Sequence, residues 1–224
     1  MARTIVPIGG GVFCDGLAEF LVGLTGKERP RVLYIGTASA EDPSQALRNH
    51  DRFGPLAELS RLEFFPWPPE DLRSTVLAQD VIFVGGGNTA NMLAIWRLHG
   101  VDGLLAEAAD RGVVLSGSSA GGICWFERGV TDSFGPQLAP MECLGFLAGS
   151  FCPHWNDEEN RRPVYHGLLK SGFPEGYAAD AGVGLHFVDG ALQEAVGCDE
   201  GTRAHRVEVA NGEVVETPIP TRFL

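Results

Sequence analysis

A chain of 224 residues with 44% hydrophobic and 21% charged residues is long enough to bury a substantial core and too apolar to be disordered. Its 29 acidic and 17 basic side chains give a formal net charge of −12, which argues against a nucleic-acid partner. The same field means that an anionic ligand would need local arginines to hold it. Five scattered cysteines (Cys14, Cys124, Cys143, Cys152 and Cys198), odd in number and without C-x-x-C spacing, favour reduced thiols and a cytoplasmic setting. No signal peptide is apparent and no apolar stretch approaches bilayer length, so the expectation is a soluble cytoplasmic protein with no membrane partner.

Thr4 to Ile8 predicts a buried strand that ends in Gly9-Gly10-Gly11. Apolar residues at helical spacing (Leu17, Phe20, Leu21, Leu24) predict a helix closed by Gly26. Arg31 to Thr37 reads as a second strand, Pro43 to Phe53 as a helix, and Leu62 to Phe65 as a short third strand before a turn at Pro66, Pro68 and Pro69. Val81 to Val84, introduced by Asp80, is the continuous apolar run of a strand buried on both faces. It opens into Gly85-Gly86-Gly87 and a helix from about Ala90, with Asn88 or Thr89 as its N-cap. A helix over Val101 to Asp110 leads into Val113-Val114-Leu115, a cluster of small residues, and Ile123 to Phe126 continuing as helix. Glu127 to Ala148 reads as loop, and a helix starts within Asp157 to Arg162 and runs towards Leu169. The remainder reads as antiparallel strands: Val183 to Val188, Gln193 to Val196, His205 to Val209 and Val214 to Pro218. Turns fall at Asp189-Gly190 and Asn211-Gly212. No repeat or linker interrupts the chain, which reads as a single domain over residues 1–224.

This alternation is the pattern of an α/β fold with a largely parallel sheet, whose ligands sit at the carboxyl ends of the strands. Gly85-Gly86-Gly87 and Ser119 both fall on that edge. Gly117-Ser118-Ser119-Ala120-Gly121 fits the G-x-S-x-G elbow, in which small neighbours let a strand-to-helix turn thrust the serine clear of the sheet. The N–H of Ala120 and the positive end of the next helix then lie where an oxyanion would form. A plain tight turn would want the same glycines.

Taken in order, Val84 to Thr89, the Gly117 to Gly121 elbow, Pro153-His154 some 35 residues later and the final strand hairpin resemble the peptidase E group of serine peptidases, family S51. That group is related to cyanophycinase and shares a class I glutamine-amidotransferase-like (flavodoxin-like) scaffold. The resemblance implies a three-layer sandwich with a largely parallel central sheet and antiparallel C-terminal strands. It implies a cytoplasmic dipeptidase that removes N-terminal aspartate from short peptides, with a homodimer as its assembly. Ser119 matches the nucleophile and His154 the base, a pairing the chemistry requires because a serine hydroxyl needs an imidazole to take its proton. The backbones of Gly86 and Gly87 match an oxyanion loop that pairs with Ala120, and Asn88 and Thr89 follow as substrate-binding residues. The family's acid falls on Ala181. A shift of one residue makes Asp180 the acid; the alternatives are Asp132, a water or a backbone carbonyl. Arg161 and Arg162 stand where the family places an arginine for the acidic side chain, or else form a solvated helix start paired with Glu158 and Glu159.

The competing readings are a cyanophycinase-like isopeptide hydrolase and a non-catalytic peptide-binding protein on the same scaffold. An amidotransferase is disfavoured because that class carries cysteine at the elbow. No zinc-like ligand spacing and no G-x-G-x-x-G fingerprint occurs, so neither a metal nor a cofactor is expected.

Overall fold

The computed structural model describes residues 1–11 and 13–224. Five strands, β1 (Thr4–Ile8), β2 (Arg31–Ile35), β3 (Glu58–Leu62), β4 (Val81–Val84) and β5 (Val114–Ser118), run parallel in the order β1-β5-β4-β2-β3. The chain then builds β6 (Phe126–Thr131), β7 (Ala139–Glu142), β8 (Leu147–Cys152) and β9 (Gly176–Ala179) into a second sheet. It returns to the first sheet with β10 (Val183–Val188) and β11 (Ala191–Gly197), which add antiparallel beside β1. The hairpin of β12 (Ala204–Ala210) and β13 (Glu213–Ile219) completes the second sheet, and β14 (Thr221–Phe223) closes the edge of the first. The sheets therefore have eight and six strands among the described residues.

Helices α1 (Asp15–Gly23) and α2 (Pro43–Phe53) cover one face of the central sheet, packing Leu17, Leu21, Ala46 and Phe53 against Val6, Tyr34 and Phe83. The other face lies under α3 (Leu72–Leu77), α4 (Thr89–His99), α5 (Val101–Asp110) and the second sheet. There Met92, Trp96, Leu105, Phe126 and Phe151 share one core with Ile5, Leu33 and Ile82. Strands buried on both faces need apolar side chains in both directions, which is why β4 is an unbroken Val-Ile-Phe-Val. This is the expected three-layer α/β fold. Asp189-Gly190 and Asn211-Gly212 have positive φ at both residues (48° and 79°; 53° and 81°), as hairpin turns of type I′ require.

Four expectations are corrected. The third strand is Glu58–Leu62, not Leu62 to Phe65. It lies at the sheet edge and pairs only with β2, so most of its side chains meet solvent and leave no apolar run to read. The helix after the elbow, α6, ends at Ile123 after a single turn (Ala120–Ile123); Trp125 lies in the turn that follows and Phe126 opens β6 instead. Both side chains are buried because the second sheet closes over them, and a buried apolar run does not declare its period. Residues 127–148 carry most of β6, all of β7 and the start of β8, and the outward Glu127, Arg128 and Glu142 interrupt any apolar run. Finally, Cys14 and Cys198 form a disulfide across a sequence separation of 184 residues, with Cα atoms 5.9 Å apart. The pairing of β10 and β11 onto β1 brings them together, a long-range contact that spacing does not reveal. Cys124, Cys143 and Cys152 are free thiols, and burial pushes Cys143 and Cys152 up to about 12.

Candidate active site

Strand β5 ends beside β1 and β4, and the chain turns there into α6. The turn leaves no room for side chains: a Cβ on Gly121 would overlap the Val84 carbonyl. Ser119 takes up the reversal with φ 56° and ψ −111°, a conformation that L-residues adopt only when the surroundings enforce it. Its N–H donates to the Ile8 carbonyl at 3.0 Å. The next carbonyl of the same strand end, Gly9 O, accepts the N–H of His154 at 2.7 Å. The tail of β1 thus holds both residues. His154 also has positive φ (58°), and Gly10 packs so closely on its imidazole that any Cβ there would overlap the ring.

The two side chains meet: His154 Nε2 lies 2.9 Å from Ser119 Oγ. On the far side of the ring, Nδ1 lies 3.2 and 3.3 Å from the two carboxylate oxygens of Asp157, with Glu158 Oε1 further off at 3.7 Å. Both ring nitrogens are therefore engaged, which leaves none for the acids expected from the sequence. Asp180 is corrected on this point. Its carboxylate accepts the Arg203 N–H at 2.8 Å while its own N–H donates to Arg203 O at 2.9 Å, and burial raises its pKa. Asp132 is exposed in the turn after β6, next to Ser133. Ala181, where the family's acid was expected, donates its N–H to Asn156.

Gly86 lies against the serine: a Cβ built on it would stand 3.3 Å from Ser119 Cβ. Gly87 packs its open side on Ala38 instead. Because α6 is only four residues long, the dipole of a helix adds little here, and the backbone N–H groups carry the polarity. Asn88 and Thr89 make contacts within the scaffold. Asn88 caps α4 by accepting the Asn91 N–H at 2.8 Å and donates to Ser133 O at 2.9 Å; Thr89 is buried beside Thr131.

Arg161 and Arg162 are also engaged elsewhere. Arg161 is 3% exposed and donates to Glu158 Oε2 at 2.7 Å and to Val130 O at 2.8 Å, pinning the start of α7 (Arg161–Lys170) to β6. Arg162 pairs with Glu216 through two donors and stacks over Trp155 at 5.4 Å. Of the solvated helix start paired with Glu158 and Glu159, the structure has the Arg161–Glu158 pair, but Arg161 is buried rather than solvated.

A cavity of about 560 Å³ opens from Ser119 and His154 along Gly85, Gly86 and Phe13 to the face of α2 that carries Gln45, Arg48, Asn49 and Arg52. None of these α2 residues, nor Asp157, stood out in the sequence. The i, i+3, i+4, i+7 spacing of the α2 group reads as a solvated helix face, and Asp157 sits in an ordinary acidic run.

A serine held at a strand-end elbow under an imidazole, on a largely parallel sheet, defines an α/β protein of the hydrolase kind. The sequence pattern of Peptidase family S51 matches residues 13–195. The chain belongs to that family and is a peptidase. It is 44% identical over 229 residues to the "Uncharacterized peptidase YgaJ" of Bacillus subtilis (strain 168), with 99% of each chain covered. The fold is shared with a crystal structure of a peptidase from an acI-B1 Actinobacterium (TM-score 0.69, 15% identity, 97% of this chain and 95% of that one). It is also shared with a putative peptidase E protein from Listeria monocytogenes EGD-e (TM-score 0.68, 14% identity, 89% of this chain and all of that one).

Proposed function

We propose that the chain is a serine-type exopeptidase acting on short peptides, with Ser119 as nucleophile, His154 as base and Asp157 as the residue that orients the base. The observation that carries this reading is the continuous path from Ser119 Oγ to His154 Nε2 at 2.9 Å and from Nδ1 to the Asp157 carboxylate at 3.2 Å. Attack of Oγ on the scissile carbonyl passes the serine proton to Nε2, and the carboxylate steadies the imidazolium that forms. The oxyanion of the tetrahedral intermediate falls to the N–H groups of Ala120 and Gly86. His154 returns the proton to the leaving amine, which departs with the electron pair of the broken C–N bond. Water then attacks the acyl-serine, losing its proton to the same imidazole, and the acid is released.

The cavity supports a small substrate, since its volume falls within the roughly 300–1,000 Å³ of small-molecule sites. The aspartate preference that the family resemblance implies needs a cation, and Arg161 and Arg162 are already committed to protein partners.

The test is release of the N-terminal residue from a panel of dipeptides, with the Ser119→Ala protein as blank, together with intact-mass detection of a serine-directed phosphonate adduct. Turnover and adduct that both vanish with Ser119→Ala are expected. Turnover that persists in Ser119→Ala, or none on dipeptides and tripeptides alike, overturns the reading.

A further inference from the structure

We propose that Arg48 and Arg52, on the cavity-facing side of α2, bind a carboxylate of the peptide substrate and so decide which peptides are cleaved. The inference rests on the peptidase reading for the nature of the ligand, but not for the existence of the binding site.

Both arginines are placed on the substrate side of α2. Residues at i, i+3, i+4 and i+7 share one helix face, and Gln45, Arg48, Asn49 and Arg52 all line the cavity that ends at Ser119 and His154. A helix is a rigid mount, and α2 is anchored by Ala46 and Phe53 in the core below. Asn49 is buried and ties itself to the Gln45 carbonyl at 2.8 Å, which fixes this face further.

The charge of the cavity lining runs against that of the chain. The whole chain carries −12, yet the described residues that line this cavity include two arginines and no aspartate or glutamate. A recess lined by two arginines in an acidic protein draws an anionic ligand towards the site.

Among the described residues, neither guanidinium is held by a close carboxylate. Arg161 and Arg73 hold carboxylates at 2.7 and 2.5 Å. Arg48, by contrast, donates to the neutral Ser44 hydroxyl at 3.3 Å and feels the Asp42 carboxylate through space, with no hydrogen bond to a carboxylate among the described residues. Arg52 lies 3.9 Å from Asp15, which is 86% exposed, and rests over the Phe13 ring at 5.8 Å. Such groups keep their planar donors for a carboxylate, which they can take in bidentate fashion.

A peptide offers two carboxylates, an acidic side chain and its C-terminus, and a single set of ligands separates them. The Ser119→Ala protein, which cannot turn over substrate on the reading above, is titrated by calorimetry with Asp-Leu, Ala-Leu and the C-terminal amides of both. The same four are repeated after adding Arg48→Gln or Arg52→Gln. Each arginine substitution should weaken the carboxylate-bearing ligand about ten- to a hundredfold, as loss of a charged hydrogen bond does. If the C-terminus is the group bound, both amides lose that affinity at the outset; if the side chain is bound, both alanine peptides do. Arg52→Lys, which keeps charge but not the fork, should recover only part of the loss. Equal affinity for all four ligands, no binding of any, or an equal loss for Ala-Leu amide in the arginine variants overturns the proposal. Carboxylate-dependent binding in a protein that fails to hydrolyse any peptide would overturn the peptidase reading alone.

Discussion

Ser119 and His154 meet at one strand end, yet the chain secures them by different means. The serine stands in the middle of the central sheet, where β1 and β4 flank β5 and glycine backbones pack without a gap. The histidine stands on the connection from β8 to α7, held by discrete hydrogen bonds: His154 N–H to Gly9 O, Trp155 N–H to Ala179 O, and the Arg161 clamp from Glu158 to Val130. Close packing admits few alternatives, whereas hydrogen bonds can be lost one at a time. The serine side of the site should therefore fail all at once when altered, and the histidine side by degrees.

The largest effect expected is at the serine. Ser119→Ala should lower kcat by about 10⁴-fold or more, and adding His154→Ala should cost little beyond that, because groups that act as a unit are not additive. Next comes the orienting acid. Asp157→Asn should lower kcat by about 10²- to 10⁴-fold, since an amide cannot hold the imidazolium as a carboxylate does. Asp180→Asn should leave kcat within a few-fold and lower Tm, because that carboxylate serves the Arg203 backbone. Steady-state kinetics of the two variants side by side decide the matter. A deep loss in Asp180→Asn with a mild one in Asp157→Asn would reverse the assignment.

Gly10 lies where the two halves touch. Gly10→Ala would press a methyl group onto the imidazole at a residue whose φ is 100°, so both ring position and backbone must give. A drop of roughly 10²-fold in kcat is expected, the usual cost of a displacement of about 1 Å in a reacting group. A drop in Tm with unchanged kcat would mean that the loop absorbs the methyl, and that the histidine side is softer still than its hydrogen bonds suggest.

The same contrast governs what the sequence reveals. The serine half is built from neighbours in the chain, and its signals are local: an apolar run, then Gly85-Gly86-Gly87 or the Gly117 to Gly121 elbow, each dictated by backbone crowding at a strand end. The histidine half depends on pairings between distant segments, such as Trp155 with Ala179 and Arg161 with Val130. Nothing in the residue order distinguishes Asp157, three positions after His154, from Glu158 or Glu159; only the path of the loop does. The arginines illustrate the same point. Arg161-Arg162 stands beside the histidine in sequence and is absorbed by Glu158 and Glu216, whereas Arg48 and Arg52 lie more than a hundred residues away and line the cavity. The disulfide between Cys14 and Cys198 escaped for the same reason.

The smallest effect concerns the support beneath the histidine side. Glu216 on β13 faces α7, where it accepts from Arg162 and lies 2.7 Å from His166 Nε2. Burial pushes its carboxyl up, but the hydrogen bonds and charges of Arg162 and His166 outweigh that and hold it below its ordinary 4.5. A carboxyl depressed in the folded state binds fewer protons there than in the unfolded chain, so its contribution is present above the ordinary value and lost as pH falls through the depressed one. Glu216→Gln should accordingly destabilise the protein by about 1–2 kcal/mol at about pH 7, the scale of a hydrogen bond to a charged group. The gap to the parent protein should close as urea unfolding is repeated down to about pH 3. A gap that stays constant with pH would mean that Glu216 stabilises α7 by packing alone. In that case the histidine side would be held more like the serine side than its hydrogen bonds imply.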